Sequence, residues 1–153
     1  MVKMIVFDMD GTIANLYGVK NWLADLRAEN VRPYVEAKPM WDMEKLASVL
    51  RSLNIEVRVV TWLSKDSSEQ YKDEVRKAKL EWLKRNGFPF DKFHGLQYGA
   101  TKADSVRKYL ASDETAILID DNAKIRNGWH LGETVNPVEV DLIAYLEALG
   151  SNN

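Results

Sequence analysis

Apolar runs and amphipathic segments alternate along the chain. Residues 4–7 and 116–119 are apolar throughout, and we interpret the run 55–60 in the same way. A run without polar alternation is typical of a strand that is buried on both faces of a parallel sheet. Weaker strand signals lie at 93–98 and 134–135. The pattern therefore predicts three central strands and two further ones.

Apolar residues at helical spacing fill the intervals between these strands. The predicted helices are one at about 42–53, one over 66–86, one that Thr101 caps, and one that Asn136-Pro137 opens and that ends near Gly150. Asp66 and Glu69 match a capping box at the start of the second helix. We expect the last three residues, 151–153, to form a frayed tail.

Alternating strands and helices predict an α/β fold with a doubly wound parallel sheet. The chain has 153 residues, of which 46% are hydrophobic, and this is enough for one well-filled core. We therefore predict a single domain over residues 1–150. In such sheets ligands bind at the carboxyl ends of the strands, so the polar residues at those ends are the candidates for function.

Composition excludes several classes of protein. The net charge is −2, from 21 basic and 23 acidic side chains without a long run of either sign, and this disfavours nonspecific binding to nucleic acid. The chain has no cysteine, which excludes disulfides and thiolate zinc sites. The apolar start is too short for a signal peptide, and no stretch is long enough to span a membrane. We expect a cytoplasmic protein.

The first candidate site is Asp8-Met9-Asp10-Gly11-Thr12, at the end of the first predicted strand. Carboxylates two residues apart on a strand point to the same side, where they can share a magnesium ion. An ordinary turn with exposed carboxylates is the alternative. A calcium loop of the EF-hand type does not fit, because its glycine would be the sixth residue of the loop and Gly11 is the fourth. Transferases that use such a pair on a metal are usually larger than this chain.

Three further candidates follow later strands or begin a helix. Thr61 directly follows the second run, where it either closes the strand or donates to a phosphoryl oxygen. Lys102 lies at the start of a helix, a position that disfavours a cation unless an anion is near. Asp120 and Asp121 follow the most apolar strand, and a cation is the simplest way to keep both ionised. For each, a solvated or capping side chain is the alternative.

The chain resembles the haloacid dehalogenase (HAD) superfamily of phosphohydrolases in four places, namely Asp8-Met9-Asp10-Gly11-Thr12, Thr61, Lys102 and Asp120-Asp121. The first of these is highly specific to that superfamily, and the resemblance extends over almost the whole chain. The stretches 8–16 and 119–122 are also similar to small 5′-nucleotidases, including the pyrimidine deoxyribonucleotidases. The resemblance implies a Rossmann-like hydrolase domain.

The resemblance also implies a role for each residue. Asp8 would be the nucleophile that takes the phosphoryl group, and Asp10 would act as general acid and base. Thr61 and Lys102 would bind the phosphoryl oxygens. A magnesium ion would be held by Asp8, by an acidic residue of the last motif, and by Asp10 through its backbone carbonyl. Asp120 is the first choice in that motif, but the choice between it and Asp121 is left open.

Members of the superfamily differ in the cap that covers the site. Here only residues 12–39 are left for a cap, which is enough for a flap and one helix with Val19, Trp22, Leu23 and Leu26 on its apolar face. The site is therefore expected to be open, unless a second subunit of a homo-oligomer closes it. Trp62 either borders the site or packs beneath it. Trp22, Tyr34 and Trp41 are either core residues or stack on a nucleobase.

The implied function is that of a magnesium-dependent phosphatase whose substrate is a small phosphate monoester, with nucleotides favoured. A phosphatase of nucleic-acid 3′ ends or of phosphoproteins is one alternative, and the first of these would need a basic groove near the site. A non-catalytic binding protein with the same fold is the other. The substrate, the pathway and the oligomeric state are not determined by the sequence.

Overall fold

The structure is a computed structural model that describes residues 1–151. Within these residues the strands are β1 (Val2–Phe7), β2 (Ala14–Asn15), β3 (Lys38–Pro39), β4 (Glu56–Trp62), β5 (Lys92–Leu96), β6 (Thr115–Ile119) and β7 (Thr134–Val135). The α-helices of the same residues are α1 (Trp22–Arg27), α2 (Arg32–Glu36), α3 (Met43–Leu53), α4 (Glu69–Arg85), α5 (Lys102–Arg107), α6 (Ala123–Asn127) and α7 (Leu142–Ser151).

Five strands form one parallel sheet in the order β5-β4-β1-β6-β7. All five strands that the hydrophobic pattern predicts are present, and the predicted α/β class is confirmed. The apolar run 4–7 of β1 lies in the middle of the sheet and is fully buried. Continuous apolar sequence thus corresponds to a strand with a neighbour on each side and a covered surface on both faces.

Helices pack against both faces of this sheet. Successive side chains of a strand point to opposite faces. Ile5 and Phe7 belong to a large cluster with residues of α3, α4 and α7, whereas Met4 and Val6 belong to a second cluster with Val106 of α5. The core therefore consists of two apolar layers separated by the sheet.

Two helix starts differ from the sequence prediction. α4 begins after Ser68, whose Oγ accepts a hydrogen bond from Tyr71 N at 3.1 Å, so the predicted capping box of Asp66 and Glu69 is wrong. Asp66 has a positive φ of 50° and lies outside the helix. By contrast, α3 matches its prediction, because the Asp42 side chain caps it by accepting from Lys45 N.

The last helix also begins later than predicted. Asn136 Oδ1 accepts from Val138 N, which makes a local turn, and the helix starts only at Leu142 after Asp141. Thr101 precedes α5 as predicted, but its side chain makes no capping hydrogen bond. Ser151 still belongs to α7, so the predicted tail does not include it, and residues 152–153 lie outside the described part of the chain.

The segment 12–39 contains two short helices, α1 and α2, where one was predicted. Its two ends pair as a small antiparallel sheet of β2 and β3. Tyr34 of α2 packs in a third cluster with Tyr71 and Val75 of α4, so this segment lies on α4 beside the main sheet. None of the described helices is long and apolar enough to span a lipid bilayer.

Candidate active site

All the residues proposed as catalytic or metal-binding line one cavity of about 320 Å³. It lies at the carboxyl edge of the sheet, where Asp8 follows β1 and Asp120 follows β6. Thr61 does not follow its strand as predicted. It is the sixth of the seven residues of β4, because the strand pairs with β5 as far as Trp62. Parallel strands bring these positions together since their carboxyl ends meet at one edge.

A buried lysine joins the ends of β1 and β6. Lys102 Nζ donates to Asp8 Oδ1 at 2.8 Å and to Asp120 Oδ2 at 3.0 Å. Burial lowers the pKa of Lys102, but the negative charges of Asp8 and Asp120 outweigh this and hold it above its ordinary value. Lys102 is therefore a stable cation at neutral pH, directed at the carboxylate that is the candidate nucleophile.

Thr12 connects Asp8 to the acidic pair. Its Oγ1 lies 3.0 Å from Asp8 Oδ2 and 3.3 Å from Asp121 Oδ1, and it accepts from Asp121 N at 3.2 Å. One hydroxyl proton serves two carboxylates, so only one of them receives it at a time. Gly11 makes this approach sterically feasible. It has a φ of 82°, and a Cβ at this position would lie 2.4 Å from Asp121 Oδ2.

Asp8, Asp120 and Asp121 form a group that fits a divalent cation. Each offers a carboxylate oxygen, and these oxygens all lie within 4.8 Å of one another. Burial, together with the charge of Asp8, raises the pKa of Asp120 to about 6. Burial and hydrogen bonding to Asp8 raise the pKa of Asp121 to about 7. Such repulsion among carboxylates is relieved by a bound cation, and oxygen ligands are those that magnesium prefers.

Asp10 lies outside this acidic group and has a different partner. Its Oδ2 accepts a hydrogen bond from Lys79 Nζ at 2.9 Å. Burial raises the pKa of the Asp10 carboxyl above its ordinary value, although the charge of Lys79 acts in the opposite direction. A carboxyl group that is protonated more readily than usual can act as a general acid.

Lys79 is one of the residues of this site that the sequence analysis missed; Tyr17 and Tyr98 are others. It is fully buried in α4, on the face that also carries Tyr71, Val75 and Trp82. Its ammonium group reaches Thr61 Oγ1 at 2.7 Å and Trp62 O at 2.8 Å in addition to Asp10. The one available signal was a lysine on the apolar face of a helix, where the helical spacing calls for a hydrophobic residue.

Aromatic side chains form the outer part of the cavity. Trp62 borders it, with Nε1 fixed to Ala100 O at 2.8 Å and its ring 4.9 Å from that of Tyr98. On the other side Tyr17 packs edge-on against Trp22, with ring centroids 4.9 Å apart. Tyr17 and Tyr98 are half exposed. Two pairs of rings thus flank the entrance to the carboxylates.

The other two aromatic candidates have packing roles. Tyr34 lines the cavity, but its side chain is buried in the core, with its ring centroid 5.2 Å from Lys79 Nζ. Trp41 is absent from the cavity lining, and its Nε1 donates to Thr12 O at 2.8 Å. Trp22 lines the cavity and is only partly buried, so of the three predicted candidates it has the most direct access to a ligand.

Comparison with known proteins adds no family to this description. A scan against models of protein families finds no match, and a search among curated proteins finds none either. The function must therefore be inferred from the residues of the cavity and their geometry.

Proposed function

We propose that the chain is a magnesium-dependent phosphatase of the HAD superfamily that hydrolyses nucleotides through an aspartyl-phosphate. The observation that carries this proposal is the convergence of Asp8, Asp10, Lys102 and the acidic pair in one cavity. The strand order β5-β4-β1-β6-β7, with helices against both faces, supports a doubly wound sheet of the HAD type.

Asp8 is the nucleophile in this proposal. A carboxylate oxygen of Asp8 attacks the phosphorus atom of the monoester, and the bond from phosphorus to the leaving oxygen breaks. Lys102 pairs with the Asp8 carboxylate at 2.8 Å and offers a charge to the transferring phosphoryl group. Catalysis of phosphoryl transfer depends mainly on such positioning and charge.

Asp10 supplies and recovers the proton. In the first step its carboxyl proton passes to the leaving oxygen, which departs as an alcohol. In the second step Asp10 takes a proton from water, the water oxygen attacks phosphorus, and the bond to Asp8 breaks to release phosphate. The raised pKa of Asp10 favours the protonated form that the first step requires.

Asp8, Asp120 and Asp121 would hold the magnesium ion. The ion, when bound, supplies positive charge that stabilises the phosphoryl group in the transition state. The three carboxylates would otherwise repel one another, and the raised pKa values of Asp120 and Asp121 reflect that repulsion together with burial.

The aromatic entrance favours a nucleotide over a sugar phosphate. Trp62 and Tyr98 on one side, and Tyr17 and Trp22 on the other, offer ring faces and edges at the entrance to the carboxylates. Stacking of a base on an aromatic side chain contributes about 1–3 kcal/mol. A sugar phosphate can place only C–H groups against these rings, whereas a nucleobase offers a planar π system, so the rings favour the nucleotide.

The test is an assay of phosphate release from a panel of monoesters. The panel contains deoxyribonucleoside and ribonucleoside monophosphates, sugar phosphates and a 3′-phosphorylated oligonucleotide, each with magnesium and with EDTA. We expect magnesium-dependent release, fastest from a nucleotide. Preference for the oligonucleotide would move the assignment to nucleic-acid ends, and preference for a sugar phosphate would refute the nucleotide assignment.

Asp8→Asn is the decisive variant in this assay. The amide has nearly the same shape but is a poor nucleophile, so turnover should fall by at least about 1,000-fold while the circular dichroism spectrum stays unchanged. Turnover at the wild-type level in this variant would exclude the aspartyl-phosphate mechanism.

A further inference from the structure

A buried lysine is unexpected on the apolar face of α4. Lys79 is completely shielded from solvent, and an ammonium group in such a place is costly unless it is paired. Apolar side chains occupy the neighbouring positions Val75, Ala78 and Trp82. A leucine or methionine would fill the same space without that cost. The charge of Lys79 therefore calls for a specific explanation.

The hydrogen bonds of Lys79 use its full donor capacity. An ammonium group has three protons and no acceptor. The three acceptors are Asp10 Oδ2, Thr61 Oγ1 and Trp62 O, at 2.9, 2.7 and 2.8 Å. No donor remains for a substrate. Lys102 differs, since its hydrogen bonds within the described residues go to two carboxylates and leave its third proton for a phosphoryl oxygen.

This arrangement sets the direction of the Thr61 hydroxyl. Because Thr61 Oγ1 accepts from Lys79, its own proton must point elsewhere. Among the described residues its one acceptor is Trp62 O, which is 3.4 Å away and already accepts from Lys79. That contact is long for a hydroxyl donor. The proton of Thr61 is therefore available to an oxygen atom bound in the cavity.

The same lysine selects one oxygen of Asp10. Oδ2 faces an ammonium group that can only donate, so a proton on the Asp10 carboxyl belongs on Oδ1. Oδ1 has no hydrogen-bond partner among residues 1–151, and Asp10 lines the cavity. Oδ1 is thus the oxygen left for a group bound in the cavity.

We propose that Lys79 is a positioning residue that prepares two groups of the site at once. It directs the Thr61 hydroxyl proton toward a phosphoryl oxygen, and by occupying Oδ2 of Asp10 it leaves Oδ1 free to face the leaving group. This inference rests on the proposed phosphatase function. A purely structural lysine, which only ties α4 to β4, would affect stability without these two effects.

The dependence of the rate on the leaving group separates the effect of Lys79 on Thr61 from its effect on Asp10. p-Nitrophenol leaves readily without a proton, whereas the alcohol of a nucleoside monophosphate needs one from Asp10. Lys79→Met should lower kcat/KM for p-nitrophenyl phosphate about tenfold, because Thr61 is no longer oriented. For the nucleotide, kcat/KM should fall by a further factor of about 10–100, because proton transfer from Asp10 is impaired as well. Equal losses on both substrates would overturn the role toward Asp10.

A double-mutant cycle tests the same coupling. In an Asp10→Asn background, the additional change Lys79→Met should no longer discriminate between the two substrates, because the group that it positions is already disabled. Full additivity of the two losses on the nucleotide would contradict the proposal. Lys77→Met is the matched control, since Lys77 is exposed on the same helix and should leave both rates unchanged.

A binding measurement keeps the test independent of turnover. Calorimetric titration with inorganic phosphate in the presence of magnesium should show affinity reduced about fivefold to tenfold by Lys79→Met and by Thr61→Val, with no further loss in the double variant. Unchanged affinity in Lys79→Met would overturn the role toward Thr61. If the wild type binds phosphate but shows no Asp8-dependent turnover, the proposed phosphatase function is wrong. The binding measurement still decides in that case whether Lys79 orients the Thr61 hydroxyl.

Thermal unfolding of each variant accompanies these assays. Should Lys79→Met not fold, Lys79→Gln takes its place, because its amide is polar but shorter and uncharged and can make at most two of the three hydrogen bonds. The ratio of the two kcat/KM values should then change in the same direction. A folded Lys79→Gln protein with the wild-type ratio and wild-type phosphate affinity would refute the proposal.

Discussion

The protonation of Asp121 links the stability of the metal-free protein to pH at the scale of a single residue. Burial and the neighbouring Asp8 raise the pKa of Asp121 to about 7 in the folded protein. An aspartate in an unfolded chain has a pKa of about 3.9. The folded state therefore binds this proton more tightly, and the stability that it contributes is lost as the pH rises through about 7.

Asp121→Asn should remove this dependence. At pH 8 in EDTA we expect its free energy of unfolding to exceed that of the wild type by about 1 kcal/mol, a value reduced for solvent screening. At pH 5 most of this gain should be gone, because the folded wild type then carries the proton, and the two proteins should agree below about pH 4, where the unfolded aspartate is protonated as well. Urea denaturation at both pH values measures the difference. Asp113→Asn, which alters an exposed carboxylate, is the control and should show no such pH-dependent gain. The same gain at pH 5 and pH 8 would contradict the explanation.

Alanine substitutions at Gly11 and Gly87 distinguish the cost of backbone strain from the cost of a steric clash. Both have positive φ, but a Cβ at Gly11 would lie 2.4 Å from Asp121 Oδ2, whereas a Cβ at Gly87 meets nothing within 4 Å. Gly87→Ala should cost about 1 kcal/mol of stability from strain alone. Gly11→Ala should cost about 1–2 kcal/mol more, because Asp121 must move.

Magnesium affinity distinguishes the two glycine variants further. Only Gly11→Ala should weaken magnesium binding, measured by calorimetry, since Asp121 belongs to the carboxylate group that fits the cation. Equal magnesium affinity in both variants would show that the position of Asp121 is unimportant for the ion.

At the scale of elements, a single side chain caps the short helix that follows the acidic pair. Asn122 Oδ1 accepts from Lys124 N at 2.9 Å and from Ile125 N at 3.3 Å at the start of α6. Asn122 N in turn donates to Asp120 Oδ1 at 2.9 Å. The cap therefore holds the helix in place next to the proposed magnesium ligands.

Asn122→Ala should weaken both the helix and the site. Loss of a cap costs about 1 kcal/mol, and we also expect a severalfold loss of magnesium affinity because the loop of Asp120 and Asp121 loosens. Ser68→Ala removes a comparable cap from α4 and should cost similar stability with unchanged magnesium affinity. Denaturation and calorimetry on both variants provide the comparison, and a loss of magnesium affinity in both would contradict it.

Helix starts were the elements hardest to predict from local signals. Asp66, Ser67 and Ser68 are three successive residues that can all cap a helix. The structure uses Ser68, whose hydroxyl also donates to Glu29 of the segment 12–39. Local chemistry hardly distinguishes these three residues as caps. The residue that the structure uses, Ser68, is the one that also contacts Glu29, which is far away in the sequence.

At the scale of the whole molecule, α4 joins the segment 12–39 to the rest of the protein. Tyr71 OH donates to Asn30 O at 2.8 Å, and Trp82 Nε1 donates to Ala37 O at 2.7 Å. Tyr34 is buried against the same helix. The segment therefore shares its apolar contacts with the helix that carries Lys79.

We expect the protein to unfold as one cooperative unit for this reason. Urea transitions followed by far-UV and near-UV circular dichroism should coincide, and the calorimetric and van't Hoff enthalpies should agree. Tyr71→Phe should lower stability by about 1 kcal/mol and keep a single transition. A separate early transition in the near-UV signal would show that the segment 12–39 unfolds independently and would contradict the single-domain prediction.

The sequence by itself determined the α/β class, the five strands of the main sheet and the position of most candidate residues at its carboxyl edge. It could do so because continuous apolar runs identify buried parallel strands, and because parallel strands bring their carboxyl ends to one edge. Asp8, Lys102, Asp120 and Asp121 were recognisable for this reason, since each lies at a strand end or a helix start.

Only the tertiary structure decided the role of Lys79. Its sequence neighbours on α4 are apolar residues at helical spacing, and nothing local distinguishes it from the exposed lysines of the same helix except that position. Its partners Asp10, Thr61 and Trp62 come from two different strand ends. A hydrogen-bonded group assembled from three distant segments depends on which side chains meet when the helix packs against the sheet. Helical spacing indicates the buried face of α4 but not the partners that Lys79 finds there.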